Sequence, residues 1–227
     1  MSVRVIGIGG GTGSGKTTIA DALAQRFDAA ILRIDDYYRP YDHLTFEERE
    51  QINFDAPESI DHALLHNHLR RLMDGEEIEK PHYDFSRHTR SVFGDVLTPK
   101  PVVIVEGLFA LHWPEINTLY QTSIFVDTPR EIRFSRRLKR DIEERGRDAH
   151  DVTFRFNSHV NPMHEIYVQP TSAKAELVVS GHQEFDLTLH EAISHVGLHP
   201  NLGLLEPVRA LNSEASFADG HVSLDLI

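Results

Sequence analysis

The sequence predicts an α/β fold: a five-stranded parallel sheet with helices on both faces and a β-hairpin laid over one end. Two observations carry this. Short, continuous apolar runs of strand length, as expected of strands buried on both faces, alternate with stretches of helical period. The first run, Val3 to Ile8, also leads straight into Gly10-Gly11-Thr12-Gly13-Ser14-Gly15-Lys16-Thr17, which fits G-x-x-x-x-G-K-[ST] and precedes a helical stretch, Thr18 to Ala24. Strand, glycine-rich loop and helix in that order make a P-loop, so the fold class is that of a P-loop NTPase. The glycines let the backbone curl until successive N–H groups point inward at the positive end of the helix, and phosphate oxygens fill that nest. Lys16 then reaches the β- and γ-phosphates, and the Thr17 hydroxyl holds Mg²⁺.

Composition bounds the rest. A chain of 227 residues with 40% hydrophobic content can bury one core, so a single domain over 1–196 is expected, with 197–227 as a C-terminal extension of unassigned role. No run of eighteen apolar residues and no basic-then-apolar leader appears, so the expectation is a soluble, cytoplasmic protein away from membranes. The formal charge of −12 argues against a nucleic-acid partner, and the absence of cysteine removes disulfides and thiolate chemistry. Of the 15 histidines, His62 and His66, and His195 and His199, are spaced four apart, but neither pair has a third ligand at convincing spacing. No zinc is assigned.

After the first helix, Ala29 to Ile34 reads as a second strand ending in Asp35-Asp36-Tyr37-Tyr38. Ligand crevices in open α/β sheets lie at the carboxyl ends of strands, so Asp35 is a candidate catalytic base; a turn or cap carboxylate is the plain alternative. Thr45-Phe46-Glu47-Glu48 is a capping box opening a short helix through Ile52, and Asn53 to Pro57 break it. Ile60, Ala63, Leu64, Leu69 and Leu72 predict a helix from Glu58 to Met73, with Gly75 as its stop. Ile78 to Gly94 has strand-like composition without helical period and is read as the hairpin over the acceptor site.

Val102 to Val105 forms the third strand and ends in Glu106-Gly107. P-loop proteins place a second Mg²⁺-associated carboxylate there, and Glu106 is that candidate. Ser123 to Asp127 is the fourth strand, with Pro129 at the first turn of the next helix. In that helix Arg133, Arg136, Arg137 and Arg140 share one face beside an apolar stripe of Phe134, Leu138 and Ile142. In an acidic protein these planar guanidinium forks suit a transferring phosphoryl group; the alternative is a solvated face paired with Glu131, Asp141, Glu143 and Glu144. Val152 to Val168 reads as a further helix despite Pro162, Ala175 to Val179 as the fifth strand, and Glu184 to Val196 as the closing helix. Ala218-Asp219-Gly220-His221 suits the turn of a terminal hairpin.

Taken together, several of these segments resemble the uridine kinase (uridine-cytidine kinase) family, within the wider group that includes phosphoribulokinases. The likeness runs through Gly10 to Thr18, Asp35 to Tyr38, Asn53 to Pro57, Pro81-His82-Tyr83-Asp84-Phe85, Val105-Glu106-Gly107, Phe125 to Thr128, Lys139 to Asp148, Pro162-Met163-His164-Glu165 and Glu176 to Val179. It implies Mg²⁺-dependent phosphoryl transfer from ATP or GTP to the 5′-hydroxyl of uridine or cytidine, in pyrimidine salvage, by a homo-oligomer, a tetramer or dimer. Position by position, it implies that Gly10 to Thr18 cradle the nucleotide and that Asp35 is the base. It gives the ribose hydroxyls to Asp55 and Arg137, and the pyrimidine to Tyr83, His88 and Arg147 with Phe85 packed beside it. Arg140 and Arg145 belong to the lid over the phosphates.

Three positions depart from that pattern. Arg155 stands where the base-reading segment usually has Gln, Asn161 precedes Pro162 where a basic residue is usual, and Ser180-Gly181-His182 replaces Pro-Arg-Gly. Arg155 is kept among the substrate-binding candidates, and it leaves open a kinase of the same architecture for another small hydroxyl compound, such as a phosphosugar. A nucleotide-binding regulatory protein is a second alternative, although the Asn-Lys-x-Asp of switch GTPases is missing.

Overall fold

The computed structural model describes residues 3–200 together with Leu202. In chain order the elements are β1 (Arg4–Gly10), α1 (Lys16–Phe27), β2 (Ala29–Arg33), α2 (Phe46–Glu50), α3 (His62–Met73), the short strands β3 (Ile78–Lys80), β4 (Tyr83–Asp84), β5 (Thr89–Arg90) and β6 (Asp95–Leu97), then β7 (Val102–Gly107), α4 (Pro114–Asn117), β8 (Thr122–Asp127), α5 (Arg130–Glu143), α6 (Ala149–Arg155), α7 (Asn161–Met163), β9 (Leu177–Ser180) and α8 (Phe185–Leu198). Strands β2, β7, β1, β8 and β9 form one sheet in that order, every neighbouring pair parallel.

Alternation along the strands splits the apolar runs between two cores. Val5, Val103 and Val105 pack with Leu65, Leu69 and Leu72 of α3 and with Trp113 and Ile116. Ile6, Ile8, Ile104 and Val126 pack with Ile19 and Leu23 of α1 and with Ala192 and Val196 of α8. Both faces are therefore covered, as continuous apolar strands require. With β1 in the middle, Ile8 pairs with Glu106 and Glu106 with Arg33, so the P-loop, Glu106 and the turn after β2 leave the sheet along one edge.

Local signals set most boundaries, and the differences have identifiable causes. The capping box at Thr45 forms with both arms, 2.8 Å and 3.3 Å, but α2 ends at Glu50. Helix α3 begins at His62 rather than Glu58, because Asp61 caps it by accepting the Leu64 N–H at 3.2 Å while Ile60 stays extended and bridges Tyr38. It stops as expected at Gly75, φ +83°, where the N–H groups of Gly75 and Glu76 reach the carbonyls of Leu72 and Arg71. The hairpin consists of two short antiparallel ladders, β3 with β6 and β4 with β5.

The helix expected over 152–168 starts earlier, at Ala149, because the Asp148 carboxylate accepts the His150 and Asp151 N–H groups at 2.8 Å and 3.1 Å. It proceeds through widened π turns, Phe156–Val160 and His164–Val168, on either side of Pro162, which can supply no N–H to a regular ladder. Strand β9 starts at Leu177 rather than Ala175, and α8 runs on to Leu198. The turn at Ala218–His221 lies outside the described residues. Among the described residues no helix is long and apolar enough to cross a membrane.

Helix α5 departs most from expectation. Its buried residues are Arg133 and Asp141, not the stripe of Phe134, Leu138 and Ile142; Ile142 is exposed and Phe134 packs sideways on Phe156 at 4.9 Å. The helix lies against the P-loop and its surrounding polar backbone rather than against an apolar core. Its inner face is accordingly chosen for hydrogen bonding. The arginine face also divides: Arg136 serves the P-loop backbone and Arg133 donates to the Thr128 carbonyl beside it, while Arg137 and Arg140 turn to a cavity.

Candidate active site

The P-loop is tied from behind. Arg136 Nη1 donates to the carbonyls of Gly13 (3.3 Å), Ser14 (3.4 Å) and Gly181 (2.8 Å), and the Thr128 hydroxyl donates to the Ser14 carbonyl at 3.0 Å. Carbonyls held on the outer side leave the inner side of the loop to its N–H groups, the arrangement an anion nest needs. Lys16 Nζ rests 3.4 Å from the Gly11 carbonyl. At Gly13, φ is +72°, and a Cβ would stand 2.5 Å from the Arg133 carbonyl oxygen. Gly13→Ala is therefore expected to cost about 1–3 kcal/mol and to loosen nucleotide binding, which a thermal melt and an ATP titration check.

Below the loop, the Thr17 hydroxyl lies 3.4 Å from both carboxylate oxygens of Glu106. Burial pushes the Glu106 carboxyl up to about 7, against the pull of Lys16, of Arg33 and of the Thr17 hydroxyl. Arg33, 3.7 Å away, gives its closer contact to Asp21 at 2.5 Å. A buried carboxylate short of positive charge beside a hydroxyl is an all-oxygen donor set, which fits Mg²⁺.

A cavity of about 330 Å³ opens beside Thr12, Lys16 and Thr17, in the range of small-molecule sites, roughly 300–1,000 Å³. Asp35, Asp55, Arg137, Arg140, Arg145, Arg147 and Arg155 line it, as do Tyr83, Phe85 and His88 of the hairpin. It therefore gathers residues from six separate segments that the sequence had singled out. Of the remaining candidates, Gly10, Gly11, Gly13, Ser14 and Gly15 shape the loop, Glu106 sits beneath it, and Thr18 is exposed in the first turn of α1.

Of the two consecutive aspartates, Asp36 is spent on Lys80 at 2.8 Å, which fixes the hairpin, while Asp35 faces the cavity. The charge of Asp35 contributes to raising the pKa values of Tyr38, Asp55 and Glu106, so it sits electrically at the centre of the site. Burial pushes the Asp55 carboxyl up, and Arg137, 3.9 Å away, opposes this. His88, at φ +50°, stacks on Phe54 with ring centres 5.2 Å apart; burial, then Arg147, lower its pKa, leaving a neutral ring with one donor and one acceptor nitrogen. The Tyr83 hydroxyl is buried without a hydrogen-bond partner, and the residue lines the cavity. The Arg145 guanidinium lies 5.0 Å over the Phe85 ring. Arg155 Nε is held by both oxygens of Asp151, at 2.9 Å and 3.0 Å, so this arginine enters the cavity already paired.

Sequence reasoning missed three supports. Arg136 and Thr128 brace the P-loop, and Arg90 clamps the turn after β2 by donating to the carbonyls of Tyr38 (2.8 Å) and Tyr37 (3.1 Å). Asp141, read only as a partner on a solvated face, is fully buried among site arginines. Its signal was present: it is the one acid flanked by arginines at i−4 and i+4 in that helix. The fold also supplies His195 and His199 with the third group that linear spacing lacked. Glu176 accepts from His199 Nε2 at 2.7 Å and from Thr122 at 3.0 Å, and Thr122 contacts His195 Nε2 at 2.6 Å. These four groups satisfy one another, and His199 Nδ1 is buried without the partner that ligating imidazoles usually have.

The model of the Phosphoribulokinase / Uridine kinase family matches residues 5–188. A uridine kinase of Staphylococcus epidermidis (strain RP62A) is 42% identical over 178 residues, 77% of this chain and 86% of that protein. A uridine kinase of Oceanobacillus iheyensis is 43% identical over 178 residues, 77% of this chain and 85% of that one. Among solved structures, a putative fructose transport system kinase from Silicibacter sp. TM1040 superposes with a TM-score of 0.64 at 21% identity, covering 78% of this chain and 89% of that one, a likeness of fold. With the P-loop, the parallel sheet and the cavity in place and the match running through nearly all of them, the chain belongs to the phosphoribulokinase/uridine kinase family.

Proposed function

We propose that the protein is a uridine-cytidine kinase that transfers the γ-phosphoryl group of ATP or GTP to the 5′-hydroxyl of uridine and cytidine, giving UMP and CMP for cytoplasmic pyrimidine salvage. One observation carries the reading: a single cavity joins Lys16 and Thr17 of the P-loop to Asp35, and Asp35 to Asp55, Arg137 and the aromatic hairpin. The relatives named uridine kinase support the acceptor class.

Phosphoryl transfer asks little covalent chemistry of a protein, so the work is positioning and charge. The P-loop N–H groups and Lys16 hold the β- and γ-phosphates. Thr17 and Glu106 would hold Mg²⁺, which when bound neutralises charge across those phosphates. Asp35 orients the 5′-hydroxyl and takes its proton as the new O–P bond forms and the bond to the β-phosphate oxygen breaks. Asp55 accepts from the ribose hydroxyls and Arg137 donates to them; Tyr83, His88 and Arg147 meet the pyrimidine beside Phe85. Arg140 and Arg145 close over the phosphates, and Arg155 with Asp151 ends the acceptor wall. Residues 1–196 form the kinase domain in this reading and 197–227 an extension; a homo-oligomeric assembly follows from the family likeness.

If both ribose hydroxyls are held by charged groups, each deoxynucleoside leaves one of them unpaired, at a cost of roughly 1–3 kcal/mol or more. Uridine and cytidine are thus expected to exceed their 2′-deoxy forms by at least about tenfold in kcat/KM. An acceptor panel run with ATP and GTP measures this. Turnover of a phosphosugar but of neither nucleoside would overturn the reading, and nucleotide binding without transfer to any acceptor would make the chain a regulatory nucleotide binder.

A further inference from the structure

We propose that Asp141 is a positioning residue of this kinase site: one buried carboxylate that sets the arginines of the cavity wall against each other and so fixes the cationic surface offered to the transferring phosphoryl group. The inference rests on the function proposed above and adds to it a residue that touches no substrate.

Asp141 is fully buried and does not line the cavity, whereas Arg137, Arg140, Arg145 and Arg147 all do. Each of the four is tied to it. Its Oδ1 accepts from Arg140 Nε at 2.9 Å and Nη2 at 2.8 Å, and Arg145 Nη1 approaches the same oxygen at 3.4 Å from beyond the end of α5. Arg137 Nε stands 3.3 Å from Oδ2, a charge pair rather than an aligned hydrogen bond. The Asp141 backbone carbonyl accepts the Arg147 N–H at 2.9 Å, closing the turn through Gly146, φ +61°, that brings Arg147 back to the cavity.

Four guanidiniums around one small cavity repel one another, and they must hold their places before a polyanion arrives if they are to act without reorganising. A shared central carboxylate meets that need for Arg137, Arg140 and Arg145, and the Asp141 backbone carbonyl fixes the turn that carries Arg147. The electrostatics agree: burial works to raise the Asp141 pKa, yet the charges of Arg140, Arg137 and Arg145 and the Arg140 hydrogen bond together hold it below the usual carboxylate range. Burial and the Arg140 charge depress the Arg145 pKa, and Asp141 is the first group opposing them. Arg137 is also the arginine that faces Asp55, so the same carboxylate links the phosphate end of the wall to the ribose end.

Asp141→Asn keeps the shape and removes the charge. With uridine as acceptor, kcat per folded molecule is expected to fall about 10²-fold, the scale of a misplaced catalytic array, and the KM for uridine to rise as Arg137 is released. The Kd for ATP, titrated without acceptor, is expected to stay within about twofold or to tighten, since the cavity loses a negative charge. A role confined to stability would instead lower Tm and leave kcat and both affinities of the folded enzyme unchanged, and that result would overturn the proposal. Asp141→Glu retains the charge one methylene further out. It is expected to fold and to lose roughly tenfold in kcat at wild-type ATP affinity; unchanged kcat in it would count equally against the proposal, whether or not the asparagine variant folds. Slow hydrolysis of ATP to water is read in parallel. If the wild type leaves uridine untouched, the acceptor assignment fails, while loss of that hydrolysis in Asp141→Asn, or its persistence, still decides the role of Asp141.

Discussion

Lys16→Ala is expected to lower kcat/KM for ATP by at least roughly 10²- to 10³-fold, the loss seen when one preorganised charge-stabilising donor is removed. Its Nζ rests against the neutral Gly11 carbonyl at 3.4 Å, a weak contact that it can exchange for phosphate oxygens at small cost. Among the described residues no other cation is placed to replace it. Arg136 is occupied behind the loop by three backbone carbonyls, and Arg140 and Arg145 are anchored to Asp141 across the cavity, where they meet the phosphates from the side away from the loop. The side chain is only half-buried, so the melting temperature is expected to stay close to that of the wild type. Steady-state kinetics against ATP, with a thermal melt as control for folding, measure the effect, and near-normal turnover would remove Lys16 from the phosphate site.

How far such a site was legible in the sequence depended on whether its determinants were local. The P-loop was readable because one short pattern dictates both the backbone curl and the chemistry it serves. The five strands were readable because strands covered on both faces must be apolar throughout, and Asp35 and Glu106 followed from their places at strand ends. Helix α5 was misread because amphipathic spacing assumes an apolar core beneath a helix, and this one lies on backbone carbonyls and arginines instead. Charge alone could not distinguish the buried Asp141 from the exposed Glu143 and Glu144 beside it. The difference between Asp35 and Asp36 likewise depends on Lys80, which reaches back from the hairpin to pair with the second of them. Tyr83 and His88 could be proposed only by likeness to a family, since their meeting with Asp55 and Arg137 is a tertiary event.

Asp35→Asn is expected to lower kcat by roughly 10²- to 10⁴-fold with ATP affinity nearly intact, because the change preserves volume and removes the base. Asp35 belongs to the short turn Ile34–Tyr37 that follows β2, and Arg90 holds that turn by the carbonyls of Tyr37 and Tyr38, so the amide should occupy the place of the carboxylate. A second signature is independent of turnover. The Asp35 charge contributes to raising the pKa of Asp55, whose largest cause is burial, so removing it is expected to move the Asp55 titration downward, measurable by NMR. The effect on stability has a definite sign. An acid whose folded pKa lies above its unfolded value weakens the fold once pH rises past the unfolded pKa, so lowering that folded pKa returns stability at neutral pH. Asp35→Asn is therefore expected to be slightly more stable than the wild type near pH 7 and much less active, the opposite coupling to that of a damaged core. A loss of less than about tenfold in kcat, with Asp55 titrating as before, would make Asp35 a turn carboxylate with no part in the chemistry.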